Sequence, residues 1–219
     1  KPPPTAPLGT SCPMSRQWLR KKEKLRQKKE NLAIRGWTMI STLATYTFDS
    51  FRPNLQSLAY EKAWKLSQGK LDKGLLLVGP VGVGKTHLAL AVCNQIRSET
   101  PPPFSRVRFT TEVELLAQIR ETYKPDPPET EAQVMNLCKG IQLFILDDLC
   151  KYTPQDPSFR NRVLFEILDF RCIRKKLVMV TANSPLTDLE GTLGAPITDR
   201  LRDMCEVVVM KGQSQRGKT

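Results

Sequence analysis

The chain is 219 residues long, 40% hydrophobic and 26% charged, with a formal net charge of +12. That is enough for one substantial core plus an extension, and no apolar run approaches the ~20 residues of a membrane span. Six cysteines (Cys12, Cys93, Cys138, Cys150, Cys172, Cys205) form no C-x-x-C pair and His87 is the single histidine, which argues against a zinc site and a disulfide framework and for a reducing cytoplasm.

The positive charge sits at the ends. Residues 1–36 hold ten Lys/Arg against Glu23 and Glu30, and Lys211, Arg216 and Lys218 add to the C-terminal end. Residues 1–14 are proline-rich and are expected to lack regular structure. Residues 15–45 read as a basic N-terminal arm, helical over 15–33. There Trp18, Leu25 and Leu32 recur every seven residues, but Lys22 and Lys29 occupy the intervening seam, too thin a stripe for a coiled coil. Such an arm serves to meet nucleic acid or an acidic partner, or is a solvated terminus.

From Tyr46 the pattern becomes globular, and 46–216 reads as one domain followed by a short tail, 217–219. Phe48, Phe51, Leu58, Ala63, Trp64 and Leu66 supply a helix and its lead-in. Apolar, β-favouring runs at 75–78, 107–111, 143–146, 177–181 and 206–210 alternate with helical patterns at 113–123, 130–139 and 162–171. This alternation predicts an α/β fold with a five-stranded parallel sheet covered on both faces.

Gly79-Pro80-Val81-Gly82-Val83-Gly84-Lys85-Thr86 joins the first run to a helical pattern opening with His87. Every fixed position of the phosphate-binding loop is present, in the strand–loop–helix context that the motif requires. Backbone N–H groups and the helix N-terminus cradle phosphate in such a loop, the lysine reaches the β- and γ-phosphates, and the hydroxyl ligates magnesium. The run 143–146 then delivers Asp147 and Asp148 to the end of a strand where ligands gather in open α/β sheets. Asp147 suits the magnesium shell, and Asp148 suits activation of the attacking water; two such acids also serve as a helix cap. The run 177–182 ends in Asn183, a sensor position for the γ-phosphate or a loop start. Arg200 lies in Ile197-Thr198-Asp199-Arg200-Leu201-Arg202 and Arg216 in the closing Gly212-Gln213-Ser214-Gln215-Arg216.

The order of these elements resembles the AAA+ ATPases, and specifically the DnaC/DnaI/IstB group of bacterial helicase loaders and transposition helpers. Thr47-Phe48-Asp49-Ser50-Phe51, the stretch 163–171 and the closing Gly-Gln-Ser-Gln-Arg add to the resemblance, which covers 46–216. It implies a three-layer P-loop core with little or no C-terminal lid. ATP is implied over Gly79 to His87, Mg2+ on Thr86 and Asp147, Asp148 as the activating carboxylate and Asn183 as sensor 1. Arg200 falls where the group places its arginine finger, acting on a neighbouring subunit, and Arg216 at the sensor-2 position within its own subunit. Many AAA+ proteins carry Glu where this chain has Asp148. Implied partners are a replicative DNA helicase, single-stranded DNA and further copies of the chain in the ATP state, with no membrane. Tyr123 and Lys124 are candidate DNA contacts. An IstB-like ATPase stimulating a transposase is the alternative, and a non-hydrolysing nucleotide-dependent scaffold a third reading.

Overall fold

β1 (Gly74–Val78) is buried at all five positions, as a strand with neighbours on both edges and helices on both faces must be. The structure, a computed structural model, describes residues 45–52, 56–98 and 107–214, all within the unit Thr42–Thr219. The proline-rich segment, the basic arm up to 44, Arg216 and the tail lie outside the described residues. β1 pairs in parallel with β4 (Leu177–Ala182) on one side and β5 (Cys205–Val209) on the other. β4 pairs with β3 (Leu143–Leu149), and β3 with β2 (Val107–Thr111), giving the order β2-β3-β4-β1-β5. The five-stranded parallel sheet is the one expected.

Alternation along each strand sorts the core into two layers. Leu76, Val78, Phe144, Leu146, Val178 and Val180 face a single buried cluster. That cluster is completed by α3 (Glu112–Glu121), α4 (Glu131–Gly140), α5 (Pro157–Ile173), α6 (Leu186–Leu193) and α7 (Ala195–Met204). The opposite face packs against α1 (Ser57–Ser67) and α2 (Lys85–Ser98). Thr111 and Thr130 start α3 and α4 with reciprocal capping boxes to Glu114 and Gln133, satisfying backbone N–H groups that a helix start leaves orphaned. Asp156 caps α5 through Phe159 N at 2.9 Å, with Pro157 in the first helical position.

Arg171 of α5 is a buried structural pin. Its guanidinium donates to the carbonyls of Cys138 (2.7 Å), Ile141 (2.9 Å), Gln142 (3.1 Å) and Leu177, tying the end of α4 to the starts of β3 and β4. Burial pulls it down to about 10.

Two element boundaries differ from the expected ones by more than two residues. α5 starts at Pro157 rather than 162, because the Asp156-Pro157 cap outweighs the polar first turn. β3 runs to Leu149 rather than 146, because a bulge carries the strand through its two acids. The stretch 186–204 forms two helices, separated by Gly194.

Candidate active site

The loop between β1 and α2 is shaped by its glycines. Gly82 has φ 84°, and a Cβ there would fall 2.1 Å from Ser214 Oγ; Gly84 has φ 101°, and a Cβ there would fall 2.6 Å from the Phe51 ring. Side chains are excluded by both conformation and space. The loop is thus walled by the segment 211–214 on one side and by the lead-in residue Phe51 on the other. Val83 is buried and anchors the loop, while Pro80 and Val81 are exposed at its tip. α2 opens at Lys85, so the N–H groups of its first turn lie at the cradle. Lys85 is 5% exposed, and its ammonium donates to the carbonyls of Gly79 and Pro80 at 2.7 Å each. It is folded over the loop that it serves.

The two acids of β3 meet this loop. Thr86 Oγ1 donates to Asp147 Oδ1 at 3.2 Å, joining α2 to β3. Thr181 Oγ1 of β4 donates to the same oxygen at 2.5 Å. Burial pushes the Asp147 carboxyl above the usual carboxylate range; the Thr181 hydroxyl opposes that shift, the Asp148 charge adds to it, and Thr86 and Lys151 pull it back. Asp148 sits in the bulge between Leu146 and Leu149 with φ 58°. Its N–H bonds Thr181 Oγ1 at 2.9 Å, and its Oδ2 accepts from Lys151 Nζ at 2.7 Å. Beyond the strand, the buried carboxylate of Glu112 accepts from Cys150 N at 2.6 Å and fixes the loop after β3.

Beside the cradle and its buried lysine, the hydroxyl–carboxylate pair 3.2 Å apart is an all-oxygen donor set. That set fits Mg2+-ATP: hard cations take oxygen ligands, and Mg2+ is held through one or two carboxylates together with substrate phosphates.

The remaining expected residues are placed as follows. Asn183 follows β4 directly and is half-buried; its side chain makes no hydrogen bond to a described residue. Arg200 lies on α7, where its Nε donates to Asp169 Oδ1 at 2.8 Å and its guanidinium lies 5.7 Å from the Phe165 ring centroid. Arg216 is outside the described residues. His87 holds the lead-in: its Nε2 lies 2.8 Å from Thr47 O and 3.2 Å from Ser50 Oγ, with the rings of Tyr46 and Phe51 edge-on. Tyr123 donates to Glu131 at 2.6 Å and accepts from Arg162, and Lys124 pairs with Glu121. Thr181, Lys151 and Glu112 were not singled out from sequence. Thr181 left a signal, as the one hydroxyl in the buried run Val178-Met179-Val180-Thr181-Ala182.

A parallel sheet carrying this loop after β1 and adjacent acids at the end of β3 defines a P-loop ATP-binding domain of the AAA+ type. The chain belongs to the IstB-like ATP binding protein family, which matches residues 16–219. The replicative helicase loader DnaC of Escherichia coli (strain K12) is 24% identical over 124 residues, 57% of this chain and 48% of that protein. A putative insertion sequence ATP-binding protein of Sinorhizobium fredii (strain NBRC 101917 / NGR234) is 28% identical over 187 residues, 81% of this chain and 58% of that protein. The chain thus spans about half the length of these curated relatives. A crystal structure of the DnaC helicase loader superposes with a TM-score of 0.64 at 22% identity, covering 81% of this chain and 99% of that one. Among the described residues no helix is long and apolar enough to cross a membrane.

Proposed function

We propose that the chain is a magnesium-dependent ATP hydrolase that acts as an assembly switch on DNA and loads or regulates a replicative DNA helicase. The observation that carries the hydrolase reading is the Thr86–Asp147 contact, which joins the phosphate loop to the β3 acids. Lys85 leaves its two loop carbonyls for phosphate oxygens. Thr86 and Asp147 hold Mg2+, which when bound offsets phosphate charge. Asp148 takes the proton of the attacking water once its pairing with Lys151 is shared or opened. Asn183 orients that water, Arg200 reaches the nucleotide of a neighbouring copy, and Arg216 acts within its own chain. Binding and loss of the γ-phosphate then tighten and loosen a homo-oligomer, in a cytoplasmic setting. Single-stranded DNA is the second ligand, held through backbone charge and stacking, in keeping with the net charge of +12.

The longer match to insertion-sequence ATP-binding proteins favours a second reading, a transposition helper that stimulates a transposase. Steady-state ATPase measurements with and without single-stranded DNA test the hydrolase. Asp148→Asn is expected to lower turnover ~100-fold or more; unchanged turnover overturns the role of Asp148. Affinity capture with the full chain and with a 36–219 truncation separates the partners. Recovery of a replicative helicase supports the loader, and recovery of a transposase supports the helper.

A further inference from the structure

Thr181 is fully buried in β4, with apolar Val178, Met179, Val180 and Ala182 on either side. A hydroxyl at such a position costs free energy unless it is bonded. Both of its bonds go to one place. It donates to Asp147 Oδ1 at 2.5 Å and accepts from Asp148 N at 2.9 Å. The directions are fixed, since a backbone N–H only donates and an ionised carboxylate only accepts. The register explains why a hydroxyl is needed here. Leu146 pairs with Val180 and Leu149 with Ala182, so β3 inserts one extra residue against β4. A bulge leaves such a residue outside the ladder, and the Asp148 N–H finds its acceptor on the Thr181 side chain. Thr86 and Thr181 both use Oδ1 of Asp147, and Oδ2 of that carboxylate accepts from no described residue.

We propose that Thr181 is a positioning residue of the hydrolytic site, orienting the Asp147 carboxylate toward its metal and holding the Asp148 backbone in the bulge that aims its carboxylate. This rests on the Mg2+-ATP reading above. Through one hydroxyl Thr181 couples the two acids, so a single substitution disturbs metal affinity and chemistry together and leaves the phosphate loop intact. Groups that orient a metal-ligating carboxylate typically contribute 10- to 100-fold in metal affinity or activity.

The test uses Thr181→Val, which keeps shape and loses the hydroxyl, Thr181→Ala as a second hydroxyl-free variant, and Thr181→Ser, which restores it. Mn2+ affinity is read by electron paramagnetic resonance with a non-hydrolysable ATP analogue, analogue affinity by fluorescence in EDTA, and turnover by steady-state assay. The expected result for Thr181→Val and Thr181→Ala is Mn2+ affinity and kcat each lower by ~10-fold or more. Metal-free analogue affinity stays within about threefold of wild type, and Thr181→Ser recovers both quantities to within about threefold. Should Thr181→Val not fold, the comparison of Thr181→Ala with Thr181→Ser decides the question. Wild-type Mn2+ affinity and turnover in the hydroxyl-free variants, or a Thr181→Ser variant as impaired as they are, overturns the inference. If the wild-type chain itself binds no Mn2+ with the analogue and Asp147→Asn changes nothing, the Mg2+-ATP reading fails instead.

Discussion

Arg200 Nε donates to Asp169 Oδ1 at 2.8 Å, an ion pair between α7 and α5 in which the terminal nitrogens of the guanidinium donate to no described residue. The pair fixes the guanidinium side-on and leaves its fork for another acceptor. Both side chains keep access to water, and an ion pair of this kind is screened and weak. Asp169→Asn is therefore expected to lower ATP turnover only about two- to fivefold, with nucleotide affinity unchanged. Arg200→Ala is expected to lower it by ~10³ if it acts as an arginine finger. Steady-state kinetics of the two variants check the ranking, and equal effects would contradict it.

His87 is bound to the lead-in through Thr47 O at 2.8 Å and through the edges of Tyr46 and Phe51. His87→Ala removes one hydrogen bond and two ring contacts, so amide exchange at residues 47–50 is expected to accelerate roughly tenfold or more. Affinity for an ATP analogue should stay within about threefold, since the cradle and Lys85 are untouched. A loss as large as that of Lys85→Ala would show that His87 meets the nucleotide, as the family resemblance implies.

Glu112 supplies a pH signature. Burial raises its carboxyl above the ordinary 4.5, and the Cys150 N–H and Arg160 charge pull it part of the way back. A raised value means that the folded chain holds this proton more tightly than the unfolded one. Its contribution to stability is therefore full below pH 4.5 and is lost as pH rises through the folded value. Glu112→Gln keeps an acceptor for Cys150 N–H and removes the titration. Urea unfolding between pH 4.5 and neutrality should show a flatter dependence in this variant than in wild type; equal slopes would contradict the assignment.

Arg171 carries a stability prediction. Arg171→Met fills similar volume but leaves several buried carbonyls without a donor, each costing ~1–3 kcal/mol. A loss of about 3 kcal/mol or more corresponds to a fall in Tm of roughly 6–12 °C in a domain of this size. Calorimetry checks it, and a change under about 2 °C would refute the role of the pin.

Much of this architecture was legible in the sequence because it rests on local signals. Gly74–Val78 reads as a buried strand from its apolar run, and the loop from its glycine spacing. Asp147 and Asp148 read as site acids because an apolar run ends on them. What escaped depends on neighbours in space. The bulge at Asp148 exists only in register with β4, so neither its φ of 58° nor its dependence on Thr181 is encoded nearby. The His87 contacts span 40 residues to Thr47. The early start of α5 is locally written in Asp156-Pro157, whereas the apolar spacing marks only 162–171.

In the proposed composite site, the phosphate loop of one copy is completed by Arg200 of the next. Mixing an Arg200→Ala chain with a Lys85→Ala chain tests it most directly. Each alone is expected to be inactive, whereas the mixture pairs an intact loop with an intact arginine and regains turnover well above the sum of the two. Turnover in the mixture no greater than that sum would contradict the account.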